Sequence, residues 1–280
     1  MSTLDKLVKY IQDHIETPED SSSGTSGKMS LAQKKETLYN IYLELQTISD
    51  RKEISLKQKE IEPLLLTLCE MGCGVSLVNE IMTLLSYFYT NGDYTAIPIM
   101  LEKLRDVFEN SKNLYSKTWA CRLTGKIFET FWKRMITPPT FEVVQSLSKM
   151  IKNSAEWFVK ETAIETLWCI LRTKCQNIDT AVNDIYKIIF KNIGDKAKDL
   201  RLSCSKALLY LIQAWNLFKE LKADHYQAII TTSIKGFADP DEGVRWVNAE
   251  IMKEILCFKI QDTIKNIQVE TDAKMASGKK

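Results

Sequence analysis

Three stretches decide how this chain folds: Ser154–Leu167, SAEWFVKETAIETL; Asp195–Leu208, DKAKDLRLSCSKAL; and Asp239–Met252, DPDEGVRWVNAEIM. Each opens on a residue that caps helices, Ser154, Asp195 or Asp239. Five positions on stands an aliphatic residue, Val159, Leu200 or Val244, and directly after it a basic one, Lys160, Arg201 or Arg245. Apolar residues return eight and eleven positions after the aliphatic, as Leu167 and Ile170, Leu208 and Leu211, Met252 and Ile255. That spacing is one face of a helix. The copies lie 41 and then 44 residues apart. A basic side chain at a helix start faces the wrong end of the helix dipole. Its recurrence there calls for a specific partner, either the acidic cap or a carbonyl of the adjacent repeat. The D-x(4)-[VL]-R pattern at this period resembles the HEAT repeat, whose helical hairpins stack into superhelices.

Working outward, the chain from Ser30 reads as helix after helix, over 30–49, 56–71, 75–90, 93–110, 115–135, 139–152, 155–174, 178–192, 197–216, 221–236 and 241–258. Gly72 and Gly74, then Asn91-Gly92-Asp93, punctuate apolar runs, and Pro138-Pro139 opens a helix. No segment alternates with a strand's period of two. The expected fold is therefore all-α, an α-solenoid of HEAT/armadillo-like hairpins over 30–258. Ahead of it lie an amphipathic helix within 1–16, with Leu4, Leu7, Val8, Ile11 and Ile15 on one face, and a flexible linker at 17–29. Residues 259–280 read as a polar C-terminal tail. The region 30–135 keeps the hairpin rhythm without clear copies of the signature.

Composition narrows the function. The 280 residues carry 38 Lys+Arg against 36 Asp+Glu, a net charge of +2. Nucleic-acid and membrane-surface binders show a clear basic excess, so neither is expected. The seven Cys form no C-x-x-C pair and read as reduced thiols of a cytosolic protein. With only His14 and His225, each far from any Cys, neither a metal site nor a cofactor is expected. No stretch reaches the roughly 20 apolar residues of a membrane span. Nucleotide-binding and nucleophile-elbow motifs are missing, and the chain reads as no enzyme. Glu161 and Glu165, one turn apart, read as a solvated helix face.

The sequence offers surfaces in place of chemistry. Leu4, Leu7 and Ile11 form a face that either caps the solenoid or docks on another chain. Trp157 and Trp246 adjoin the helix-start aliphatics, where they either pack between repeats or stand as exposed anchors. Lys187, Lys191 and Lys198 belong to a basic cluster interleaved with Asp184, Asp195 and Asp199, which reads as a solvated ridge or as a docking surface for an acidic partner. Trp168 and Trp215 lie on apolar stripes and are expected in the core.

The order of features over 76–256 resembles one HEAT-repeat family. It includes LVNEIMTLLSYFYTNGDYTAIPIMLEKLRDVFENSKN at 77–113, YSKTWACRLTGKIFETFWKRM at 115–135, and the two [VL]-R repeats at Leu200-Arg201 and Val244-Arg245. This is the HEAT-repeat-containing protein five family, called Laa in fungi, the large accessory protein of clathrin adaptor protein complex 1. The resemblance implies a non-enzymatic scaffold in vesicle traffic between the trans-Golgi network and endosomes. Its partners would be the adaptor complex or its accessory subunits. Its place would be cytoplasmic, peripheral at Golgi or endosome membranes, with only indirect membrane association. Family members are far longer than this chain, and the family offers no local motif to carry over residue by residue.

Overall fold

The computed structural model describes residues 30–70, 74–136, 138–173, 182–215 and 223–277, with Lys9 alone before them. The N-terminal face of Leu4, Leu7 and Ile11 and the linker at 17–29 lie outside the described residues. Eleven α-helices follow in order among the described residues, and no strand. They are α1 (Leu31–Gln46), α2 (Arg51–Leu68), α3 (Gly74–Asn91), α4 (Ile97–Asn110), α5 (Leu114–Phe131), α6 (Thr140–Asn153), α7 (Trp157–Thr173), α8 (Val182–Asn192), α9 (Lys198–Trp215), α10 (Ala223–Gly236) and α11 (Glu242–Ser277).

The fold is an all-α solenoid of helical hairpins, in two layers. The even helices make one layer, in which α4 packs on α6 and α6 on α8. The odd helices form the other, in which α1 packs on α3, α3 on α5, α5 on α7, α7 on α9 and α9 on α11. The odd row is packed far more closely than the even row. A two-layer stack whose layers differ in spacing must curve toward the tighter one, so the odd helices form the inner row.

Small side chains make that closeness possible. Ala120, Thr124 and Gly125 of α5 and Thr162, Ala163 and Thr166 of α7 are all buried. Thr166 Oγ1 donates across the helix pair to the carbonyl of Cys121 at 2.9 Å. A Cβ on Gly125 would sit 3.3 Å from Cys169 Cβ and 3.5 Å from Thr166 Cα. The large apolar residues fill the space between the layers. Val159, Leu167 and Ile170 of α7 and Leu200, Leu208 and Leu211 of α9 are at most 1% exposed. Each such side chain contributes about 1.5–3 kcal/mol.

The repeat signature is a turn device followed by an inter-repeat clamp. Ser154 Oγ accepts the N–H of Glu156 at 3.2 Å. Asp195 and Asp239 likewise accept the N–H two residues on, from Ala197 and Asp241, each at 2.9 Å. Arg201 Nε and Nη2 then grip both carboxylate oxygens of Asp239, in the next repeat, at 2.7 and 2.9 Å. Its Nη1 donates to the carbonyls of Asp195 and Lys196 at 3.0 and 2.9 Å. The basic residue thus finds both expected partners, a carboxylate and backbone carbonyls. They lie outside the helix start, which removes the conflict with the dipole.

A fourth copy stands one repeat upstream. Ser111 Oγ accepts the N–H of Asn113 at 3.1 Å, as Ser154 does that of Glu156, and Lys117 Nζ, six residues after that cap, donates to the carbonyl of Glu109 at 3.2 Å. Lys117, Lys160, Arg201 and Arg245 are spaced by 43, 41 and 44 residues. Two boundaries differ most from the sequence expectation. The second helix begins at Arg51 rather than 56, because Asp50 accepts the N–H of Lys52 and caps it there. The last helix does not stop at 258. It runs on to Ser277, so the stretch expected as a polar tail is helical through that residue.

The clamp yields a test. Arg201 holds the Asp239 carboxyl below the usual carboxylate range. Such a carboxylate adds stability above its unfolded pKa, about 3.9, and that stability is lost as pH falls through the lower folded value. Arg201→Ala lowers the unfolding free energy at neutral pH by about 3 kcal/mol, since it strands a shielded carboxylate. Urea denaturation of Arg201→Ala, Asp239→Ala and the double variant gives a coupling energy that shrinks toward zero as pH falls from about 5 to about 2.

Candidate functional site

The site begins with the one stripe of each odd helix that the two layers leave uncovered. In α7 the buried stripe is Val159, Ala163, Leu167 and Ile170, and the opposite stripe is Phe158, Glu161, Glu165, Trp168 and Arg172. The 43, 41 and 44 spacing carries this stripe through the row. Thr118, which is buried, shares one rung with Glu161, Leu202 and Trp246. Arg122, Glu165, Lys206 and Glu250 share the next, and Glu129, Arg172, Gln213 and Cys257 a third. The middle rung alternates in charge from helix to helix. Such a face is neutral overall but strongly polar, which suits a protein partner better than a polyanion.

Neighbouring helices of the row are tied together. Arg172 Nη1 meets Glu129 Oε1 at 3.2 Å, linking α7 to α5, and Gln213 Nε2 donates to Glu254 Oε1 at 2.9 Å, linking α9 to α11. The Arg172 guanidinium also lies over the Trp168 ring at 4.7 Å. Trp168 meets Tyr210 of α9 edge to face, with centroids 6.5 Å apart. The Tyr210 hydroxyl donates to the Arg172 carbonyl at 3.4 Å. Trp168 is thus half-buried on the inner face rather than enclosed in the core as its stripe suggested. An arginine–tryptophan stack held from both sides is a pre-formed contact surface.

Glu165 is exposed, as its spacing suggested, but Glu161 is half-buried. Burial pushes the Glu161 carboxyl up, to about 7, and the neighbouring Glu165 charge raises it further. Arg122 and the hydroxyl of Ser203, which donates to Glu161 Oε1 at 3.3 Å, oppose the rise. The stacking of α9 on α7 causes this, because it covers Glu161 from the side. Burial also raises the thiols. Cys169 is pushed up to about 12, with Glu129 adding to the effect, and Cys121 and Cys204 go higher still. Thiols so disposed stay protonated and are poor nucleophiles.

The sequence-chosen residues fall in several places. Trp246 is 63% exposed on the inner row, and Trp157 is 43% exposed at the start of α7. Trp157 rests edge-on against Phe158 at 6.1 Å, and Phe158 stacks on Tyr115 at 6.0 Å. Lys198 shares the register of Trp157 one repeat on. Lys187 lies on α8, in the outer row, and pairs with Asp184 at 3.3 Å. Lys191 ends α8, across a short turn from Lys198. The basic cluster is therefore split between rows, and the neighbouring Arg201 is committed to Asp239. The sequence reading missed the inner groove between α1, α3 and α5. It holds about 540 Å³ and is lined by Tyr42, Asn79, Thr83, Tyr87, Thr90 and Lys126. Polar residues every three or four positions along α3 were its only sequence signal.

Compared with known proteins, the chain matches no family model and no curated sequence. Among solved structures, a crystal structure described as an engineered protein is similar over 79% of this chain and 79% of that one, at 15% identity and a TM-score of 0.43. That likeness is too loose to bear on function. No helix among the described residues is long and apolar enough to cross a membrane.

The Glu161 carboxyl sets a measurable pH dependence. Its folded pKa is raised, so its contribution is full below its unfolded pKa and is lost as pH rises through about 7. Between pH about 6 and 8 the native chain loses on the order of 1 kcal/mol of stability, allowing for solvent screening, and Glu161→Gln flattens that slope. Thermal unfolding across that range measures it; equal slopes in both proteins would show Glu161 to be solvated.

Proposed function

We propose that this chain is a non-enzymatic helical-repeat scaffold that holds protein partners along its inner row. The supporting observation is the Trp168–Arg172–Tyr210 arrangement, with the exposed Trp246 two helices along. Trp, Tyr and Arg side chains on a rigid row are the residue types that dominate protein interfaces. Nearby, Glu129 is paired with Arg172 and burial keeps the Cys121, Cys169 and Cys204 thiols protonated, which favours recognition over catalysis.

The resemblance to the HEAT-repeat-containing protein five family gives the finer reading. In it the partners are clathrin adaptor complex 1 or its accessory subunits, and the setting is vesicle traffic between the trans-Golgi network and endosomes. The chain would then reach Golgi or endosome membranes through those partners, from the cytoplasm.

Affinity purification with mass spectrometry tests both levels. Adaptor and coat subunits are expected to co-purify with the native chain. Trp168→Ala and Trp246→Ala each weaken that capture about 10-fold or more, with unchanged circular dichroism. Recovery of nuclear-transport factors or ubiquitin-ligase subunits would refute the traffic reading, and capture indifferent to both substitutions would remove the inner row.

A further inference from the structure

The inner row ends on a face that the earlier repeats cover. Ile164 and Leu171 of α7 are 0% exposed, and Ser205 and Ile212 of α9 are 1% and 6% exposed, because the next odd helix lies on them. The matching positions in α11 are Ala249 and Leu256. Ala249 is exposed and Leu256 is 57% exposed. Arg245 repeats the carbonyl contacts of Arg201, bonding Asp239 O and Pro240 O at 2.8 and 2.9 Å. Among the described residues it has no carboxylate partner such as Arg201 finds in Asp239.

The apolar stripe then continues past the body of the molecule. Residues 259–273 of α11 are all exposed. Ile260, Ile264 and Ile267 are 60%, 60% and 58% exposed, and with Cys257 and Thr271 they keep the alternating three- and four-residue spacing of a coiled-coil seam. A further helical hairpin of ordinary length would cover the part of α11 within the body but not this extension. The chain's own extension, in a second copy running the opposite way, covers both.

We propose that α11 pairs with α11 of a second copy, antiparallel about a two-fold axis near Asp262. In that register Ile260 meets Ile264 of the other copy and Cys257 meets Ile267. Lys253 faces Thr271, between Glu270 and Asp272. A parallel pairing would instead set Lys253 against Lys253 and Glu250 against Glu250 along the seam, and like charges there are repulsive. Burying the four exposed Leu and Ile side chains of both copies removes on the order of 800 Å² from water. With the stems of the rim residues the total reaches about 1,000 Å², the lower edge of specific interfaces. The pairing is therefore weak, half-formed in the micromolar range.

Sedimentation equilibrium of the full chain from about 1 to about 100 μM is expected to show a monomer passing into a dimer. Ile264→Lys leaves the fold intact, because that side chain is already exposed, and weakens association more than about 10-fold. Oxidation of the Ile267→Cys variant gives a covalent dimer, with peptide mapping joining Cys257 to position 267 of the other copy. A chain monomeric at every concentration overturns the proposal, as does association that survives Ile264→Lys. A Cys257-to-Cys257 bridge in the unsubstituted chain overturns the antiparallel register. Loss of association on removing residues 1–28 would give the stripe to the N-terminal segment instead and overturn it as well.

Discussion

The structure depends on how closely the odd-numbered helices approach one another. Where α5 meets α7, a glycine faces a threonine backbone, and Thr166 bonds the Cys121 carbonyl directly. Side chains of ordinary size at these positions would push the rows toward equal spacing, and the stack would straighten. Packed interiors do not deform gradually to absorb such volume. Curvature, the orientation of the uncovered stripe and the placement of Trp168 beside Tyr210 all follow from that one contact distance.

Close stacking also decides which polar groups are used up. Neighbouring repeats spend inner-row polar groups on one another, so Glu129 pairs with Arg172 and the Gln213 amide donates to Glu254. Exposed ion pairs add little to stability. Their effect here is on register, because a slide of one helix past its neighbour would set like charges together. The Arg201–Asp239 clamp differs in kind. Its side chains are only 13% and 11% exposed, and its geometry is bidentate. It fixes the angle between successive repeats at the edge, while the small residues fix the distance between them.

The period, the all-helical architecture and the capping residues were legible because they rest on local chemistry. A cap, an aliphatic and a basic residue at fixed offsets can be read without knowing what they touch. The copy at α5 was not legible, since Ser116 and Thr124 occupy its aliphatic positions. Both are buried, and Thr124 returns its hydroxyl to the Ala120 carbonyl at 2.8 Å. Close backbone approach favoured small side chains there over apolar ones, and apolarity was the signal being read. The site failed similarly. Glu161 looks solvated by spacing alone, because the helix that covers it lies about 40 residues away in sequence. Trp246 and Trp157 were singled out by type, and only the packing distinguishes an inner-row tryptophan from one beside a helix start.

A stack of repeats gains its stability from contacts between neighbours, so its ends are the costly places. The two ends here differ. At the first, among the described residues, α1 stacks in its row on α3 alone, and Tyr39 and Leu43 are 59% and 43% exposed. At the other, α11 is 36 residues long, roughly twice the length of the helices it stacks with. A free helix of 15 residues rich in isoleucine, valine and threonine is marginal in water, since nucleation is costly and branched side chains lose rotamer freedom. Within α11 the nucleus is already present, because Val244, Val247, Ile251 and Ile255 are buried against the body. The extension needs only propagation from a formed end. Packing against α9 and α10 therefore supports a helix that its own sequence would sustain poorly, and it carries the apolar stripe beyond the last repeat.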